Sequence, residues 1–246
     1  MRDEPRTYRR WLRNELSSFR VRIDESDLMV SAERPLRELA ERALLSVRAD
    51  LERYVRDDPG FASSLTPYEP RSDAPEIARE MAEAARRSGV GPMAAVAGAV
   101  AEWVGRALLA ESGQVIVENG GDIFLYSKQP RTAAIYAGSS PLSGRIGLRI
   151  SLTDRPLGLC TSSGTVGPSL SFGKADAAVV LAESAALADA AASALGNRVQ
   201  GEGDVESALE HLRTIAGVLG GAVVIGDHLG AWGEVEVVKV DGREAQ

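Results

Sequence analysis

The residues best equipped for chemistry lie between Gly158 and Asn197, GLCTSSGTVGPSLSFGKADAAVVLAESAALADAAASALGN. Thr161, Ser162, Ser163, Gly164 and Thr165 gather small hydroxyls around a flexible backbone. Such a loop can bring N–H and O–H donors close to an anion, because glycine permits near approach and hydroxyls donate at little steric cost. The same pattern also describes a plain Ser/Gly turn between two strands. The helix that follows is nearly all Ala and Leu from Ala185 to Leu195, with Asp189 and Ser193 four apart and therefore on one face, which Asn197 extends. A carboxylate on an Ala-lined helix is costly to bury unless a hydrogen-bonding or positive group meets it. A hard cation such as Mg²⁺ would meet it well.

Two further segments could complete such a site. Gly89-Val90-Gly91-Pro92 breaks the chain and starts the helix GPMAAVAGAVAEWVGRALLA, expected to run to about Ala110. Its N-terminus offers free N–H groups and the positive dipole end, and Gly98 would let a ligand or another backbone come close. Tight core packing explains the small residues equally well. Glu118-Asn119-Gly120-Gly121-Asp122 stands between the apolar runs 115–117 and 123–126. It is either a tight hairpin turn, which Asn-Gly favours, or a polar break that binds a ligand.

The elements that must position these residues follow from periodicity. Residues 19–23 and 28–30 alternate as a hairpin about 24–27, and Leu36, Leu39, Ala43, Leu44, Val47, Leu51 and Val55 recur at helical spacing to about Val55. A proline-rich connection follows, then a helix from about Pro75 to Arg87 capped by Ser72 or Asp73. Strands are expected over 131–136, 145–152 and 175–182, a helix capped by Asp204 over 205–219, and a closing strand pair, 222–225 with 234–240, around GDHLGAWG. Paired strands separated by helix pairs, without regular alternation, imply α+β with largely antiparallel sheet.

At 246 residues the chain suits one domain, 1–246, or two intimately packed halves. A net charge of -7, with no basic patch interleaved with aromatics, argues against a nucleic-acid partner. The single cysteine, Cys160, excludes an internal disulfide and a multi-cysteine zinc site. The charged N-terminus lacks an apolar signal core and no window holds about 18 uninterrupted apolar residues, so no membrane association and a cytoplasmic location are expected. The Ala-rich helices would suit a homodimer.

The fragments GVGPMAAVAGAVAEWVG, VIVENGGDIFL and CTSSGT with ADAAVVLAESAALADAAAS, in that order, resemble the ApbE-like superfamily of FAD:protein FMN transferases, and most closely its short cytosolic branch. The resemblance spans roughly residues 75 to 200. It implies a T-fold-like ApbE-type architecture with an internal duplication, a flavin dinucleotide (FAD, or FMN) in a cleft, and Mg²⁺ beside the pyrophosphate. By position, Glu118 to Asp122 looks like the family's Asn-x-Gly-Gly-Asp strand end, with Gly120, Gly121 and Asp122 the direct matches, and Ser162-Ser163-Gly164 resembles its Thr-Ser-Gly loop. Asp189 and Ser193 resemble its metal-binding Asp and Thr, with a backbone carbonyl from Ala95 to Ala97 completing the shell.

The departures are specific. Where the family carries Lys-Gly-Tyr and then Asp, this chain has Ala97-Gly98-Ala99 and then Glu102, and the transferases' long His-bearing loop corresponds to the short Gly167 to Gly173 segment. Losing a phosphate-facing lysine and an acid/base histidine separates ligand binding from transfer chemistry. The resemblance therefore leaves open FMN transfer or pyrophosphate chemistry on an acceptor protein, a non-catalytic flavin- or nucleotide-binding accessory protein, and, from associations of that branch in some anaerobes, a factor in sulfur assimilation into homocysteine. In the last, Cys160 would carry sulfur; otherwise it is a small buried hydrophobe. Tyr68 is a candidate for ring stacking, while Trp103 and Trp232 read as core or interface aromatics.

Overall fold

The computed structural model describes residues 15–151, 154–166 and 171–240. The N-terminal stretch up to residue 14 and the 167–170 part of the short loop lie outside them.

The first half of the chain is a hairpin, a helical layer and a second hairpin. Strands β1 (Ser17–Ile23) and β2 (Ser26–Ala32) pair first. Helices α1 (Arg37–Asp57), α2 (Pro59–Ser63), α3 (Glu76–Ser88) and α4 (Val96–Leu109) follow, the last entered through a 3₁₀ turn at Pro92–Ala95. Strands β3 (Val115–Asn119) and β4 (Asp122–Tyr126) close the half beside β2. After an excursion through β5 (Arg131–Ala134) and β6 (Ile146–Ile150), the plan repeats. Strands β7 (Leu157–Ser162) and β8 (Ala177–Ala182), helices α5 (Ala185–Asn197) and α6 (Val205–Leu212), then β9 (Val218–Ile225) and β10 (His228–Gly233) form the second half.

The two halves join where β4 pairs with β7, giving one eight-stranded sheet, β1-β2-β3-β4-β7-β8-β9-β10, antiparallel throughout. This is the expected α+β architecture, and its strand order displays the internal duplication. Helices cover one face. The small sheet β11-β6-β5, with β11 at Glu236–Lys239, lies on the other.

Alternation along the strands divides the core into two layers. Val180 and Cys160 point to the helices, whereas Val179, Leu181, Leu157 and Leu159 point to the small sheet. Strand β8 is buried on both faces, which explains its unbroken AAVVLA and makes each of its valines worth about 1.5–3 kcal/mol of burial.

Several boundaries differ from expectation for local reasons. Helix α6 ends at Leu212 because Val218 and Leu219 are drawn into β9, and Gly217 turns the chain at φ 87°. Strand β9 closes on β10 through a two-residue turn, and residues 236–239 pair with β6 instead. Asp204 accepts from the Gln200 and Gly201 N–H groups and does not cap α6 with its side chain. Asp73 pairs with Arg71, leaving Pro75 at the start of α3. Residues 92–109 are long and apolar enough by composition to cross a membrane, yet 56% of them are buried in this core.

Candidate functional site

At the junction of the halves, the β3–β4 turn uses Gly120 at φ 72° and Gly121 at φ 110°, a pair of positive values that two-residue hairpins require. A tight hairpin turn is therefore present, but its central pair is Gly120-Gly121 and not Asn-Gly, since Asn119 is the last residue of β3. It also sets Asn119 opposite Asp122, in phase with Val117 and Phe124, so both project toward the helices. The turn is braced by Glu118 Oε1, which accepts from the Gly121 N–H at 2.9 Å. Asn119 Nδ2 donates to the Ala97 carbonyl at 3.1 Å, and Asp122 Oδ1 accepts from the Thr161 N–H at 3.3 Å.

Helices α4 and α5 meet above this turn and cap each other with carboxylates. Asp189, one turn into α5, accepts from the first-turn amides of α4, including Gly98 N–H at 2.9 Å to Oδ2. Glu102 on α4 returns the contact, its Oε2 accepting from Ala185 N–H at 2.8 Å and Ala186 N–H at 3.3 Å. Each carboxylate meets the positive end of the other helix. Such closeness requires glycine at 98, where a Cβ would lie 2.2 Å from the Ala185 carbonyl oxygen. Glu102 is anchored by Arg106, which also pairs with Glu80. Its role was hidden in the sequence, where the only signal is a glutamate inside an apolar run.

Asp189 therefore accepts from two helix amides and also feels the charge of Asp122. Burial, and next the Asp122 charge, hold the Asp189 carboxyl well above the usual aspartate range. The Asp122 charge opposes ionisation of Asp189, and a proton or a cation would relieve that opposition. The oxygens available are those a hard cation takes: the Asp122 and Asp189 carboxylates and the Ala97 carbonyl, with the Ser193 hydroxyl one turn along the same helix face. No group of three or more His, Cys, Asp or Glu side chains forms a ready metal cluster among the described residues.

The amides nominated in the sequence as anion donors are mostly engaged. Gly98 N–H goes to Asp189, Gly121 N–H to Glu118, Thr161 N–H to Asp122, and Gly164 N–H to the Ala175 carbonyl. Ser163 Oγ accepts from the Thr165 and Val166 amides, and Thr165 Oγ1 donates to Asp176 Oδ1 at 3.1 Å. Ser162 is buried at the end of β7, its hydroxyl beside Gly196 of α5. Gly91 lies away from the carboxylates, its Cα pressed against Ser64, where a Cβ would be 1.8 Å from the carbonyl oxygen. The structure thus brings together Gly98, Asn119, Gly120, Gly121, Asp122, Thr161 and Asp189.

Cys160 is fully buried behind this group. Its Sγ donates to the Ala185 carbonyl at 3.4 Å, and burial with the nearby Asp122 and Asp189 charges pushes the thiol well up. So placed, the thiol packs as a small buried hydrophobe. Tyr68 is likewise committed, its hydroxyl donating to Asp58 at 2.8 Å and its ring edge-on to Phe61. Trp103 donates to Glu80, and Arg213 lies over Trp232. A depression lined by Ser127, Gln129, Arg131 and Ile150 has room for a water molecule at most.

Comparison with known proteins agrees with this architecture. A family model described as "AbpE bacteria" matches residues 9–235. A UPF0280 protein of Methanocella arvoryzae is 42% identical over 217 residues, covering 88% of each chain. A UPF0280 protein of Methanosarcina acetivorans is 43% identical over 216 residues, 87% of this chain and 85% of the relative. Among solved structures, a mutant of the flavin transferase ApbE from Vibrio cholerae aligns with TM-score 0.58 at 11% identity, over 90% of this chain and 98% of that one. The apo flavinyl transferase ApbE of Pseudomonas stutzeri aligns with TM-score 0.53 at 13% identity, over 95% and 97%. At such identities the likeness is one of fold. The match across nearly the whole chain, together with relatives above 40% identity, makes this protein a member of the ApbE-like family that includes the UPF0280 proteins.

Proposed function

We propose that the junction of the two halves binds a flavin dinucleotide through Mg²⁺ held by Asp189, Ser193 and the Ala97 carbonyl. The observation that carries this reading is electrostatic: Asp122 and Asp189 oppose each other while the surrounding amides are already engaged. Direct capture of an anion by a backbone nest is therefore poorly supplied here. A divalent cation supplies what is missing, neutralising the carboxylates and offering its own charge to a pyrophosphate. The Vibrio cholerae and Pseudomonas stutzeri proteins of this fold are a flavin transferase and a flavinyl transferase, which makes a flavin the dinucleotide of choice.

Binding without transfer is the favoured form of this reading. Among the described residues no free acid/base group adjoins the carboxylates: His211 lies on α6, His228 begins the exposed end of β10, and the Cys160 thiol is buried. The chain's own residues orient the ligand. Asn119 fixes the Ala97 carbonyl, Gly98 fixes Asp189, and Glu102 fixes the start of α5.

Calorimetric titration with FAD, with and without Mg²⁺, tests the proposal. Mg²⁺-dependent heat that disappears in Asp189→Ala is expected, without AMP release or FMN on a serine or threonine of an added acceptor. Absence of FAD binding under both conditions would sink the flavin reading, and AMP release would replace binding by transfer.

A further inference from the structure

Residues 171–175 cross the C-terminal end of α5 as an anchored strap. Phe172 donates its N–H to Asn197 Oδ1 at 2.9 Å, and its carbonyl accepts from Gln200 Nε2 at 2.8 Å. Lys174 N–H bonds the Val199 carbonyl at 2.7 Å. Between them, Gly173 passes so close to the helix end that a Cβ would sit 1.8 Å from the Gly196 carbonyl oxygen, and Gly164 packs against Gly173 from the other side. The strap is fixed, yet Phe172 is 57% exposed. A fixed backbone that holds a large ring in water is a feature of preorganised binding surfaces, because the ligand then bears little ordering cost.

Its place gives the ring a use. Asn197, which holds Phe172, is the third residue of the face that begins with Asp189 and Ser193. Eight residues of helix separate Asp189 from Asn197, about 12 Å along the axis. A sugar or ribityl chain running from a phosphate near Asp189 would bring an attached ring toward the strap.

Resting on the cleft reading above, we propose that Phe172 is the stacking platform for one aromatic ring of the bound dinucleotide. Asn197 and Gln200 act as positioning residues that hold the platform. The ring is either isoalloxazine or adenine, and truncated ligands distinguish them.

The test is calorimetric titration of the full chain with FAD, FMN and ADP in Mg²⁺, on the native protein, Phe172→Ala and Phe172→Tyr. Phe172→Ala should weaken FAD about tenfold, the scale of one lost ring stack, while keeping Mg²⁺ dependence and thermal stability. Phe172→Tyr should stay within about twofold of the native protein. The ring concerned belongs to whichever of FMN and ADP shows the same loss. If the native protein binds FAD and Phe172→Ala binds it equally well, or if Phe172→Tyr is as weak as Phe172→Ala, the platform is refuted and the cleft reading stands. If the native protein does not bind FAD, both fall.

Discussion

The two turn-bearing ends of the repeated halves carry similar parts with different electrostatics. At the second-half end, Asp176 accepts from the Gly226 N–H of the β9–β10 turn at 2.8 Å and from the Thr165 hydroxyl at 3.1 Å, and it meets donors on both oxygens. At the junction, Asp122 and Asp189 also accept backbone N–H groups, yet they face each other. A carboxylate surrounded by donors is a finished structural staple. A pair that raises the cost of its own ionisation is relieved by a proton or a cation, and on that difference rests the proposal of a cation site at the junction.

Gly98→Ala should break the comparison most severely. Its methyl overlaps the Ala185 carbonyl, so a cost of about 3 kcal/mol is expected, with α5 displaced and Mg²⁺ response lost. Denaturant unfolding with and without Mg²⁺ checks both effects.

The next effect is on pH dependence. A carboxyl whose folded pKa lies above its unfolded value binds its proton more tightly when folded, so its stabilisation is present at low pH and lost as pH rises through the folded pKa. Asp189 is such a group, through burial and Asp122, and Glu102 is another, through burial. Metal-free protein should therefore lose stability as pH rises from the ordinary carboxylate range upward. Asp189→Asn should flatten that slope and leave the part due to Glu102, as read from unfolding midpoints at a series of pH values.

Asp176→Asn should cost about 1–2 kcal/mol by spoiling two accepted bonds, without altering the Mg²⁺ response, as thermal scans with and without Mg²⁺ will show. A Mg²⁺ response lost in this variant would erase the distinction between the two ends. Cys160→Ala has the smallest expected effect, about 1 kcal/mol, and a thiol reagent should label native Cys160 only as fast as the protein opens.

Much of the fold was legible because it rests on local rules. The β1–β2 hairpin, α1 and the glycine turn at 120–121 follow from alternation, helical spacing and turn chemistry. The end of α6 was not, because Val218 and Leu219 fit a helix locally and are claimed by pairing with distant β8. In the site, Asp189 stood out as a charge on an apolar helix, and Asp122 through the turn beside it. Their opposition across two elements, and the capping of α5 by Glu102, depend on contacts more than 60 residues apart in the chain and leave no local trace. Gly91 is ambiguous for the converse reason: a glycine before a helix looks the same whether it receives a ligand or packs, as here, against the backbone of Ser64.

The most direct test of the account is the thermal midpoint of metal-free protein at pH 8 as Mg²⁺ is added, for the native chain and for Asp189→Asn. At about 100 times the dissociation constant, Mg²⁺ should stabilise the native protein by about 2.7 kcal/mol, a rise of roughly 5 °C or more, and leave Asp189→Asn unmoved. Equal rises in both proteins, or none in the native chain, would contradict a cation site at the junction.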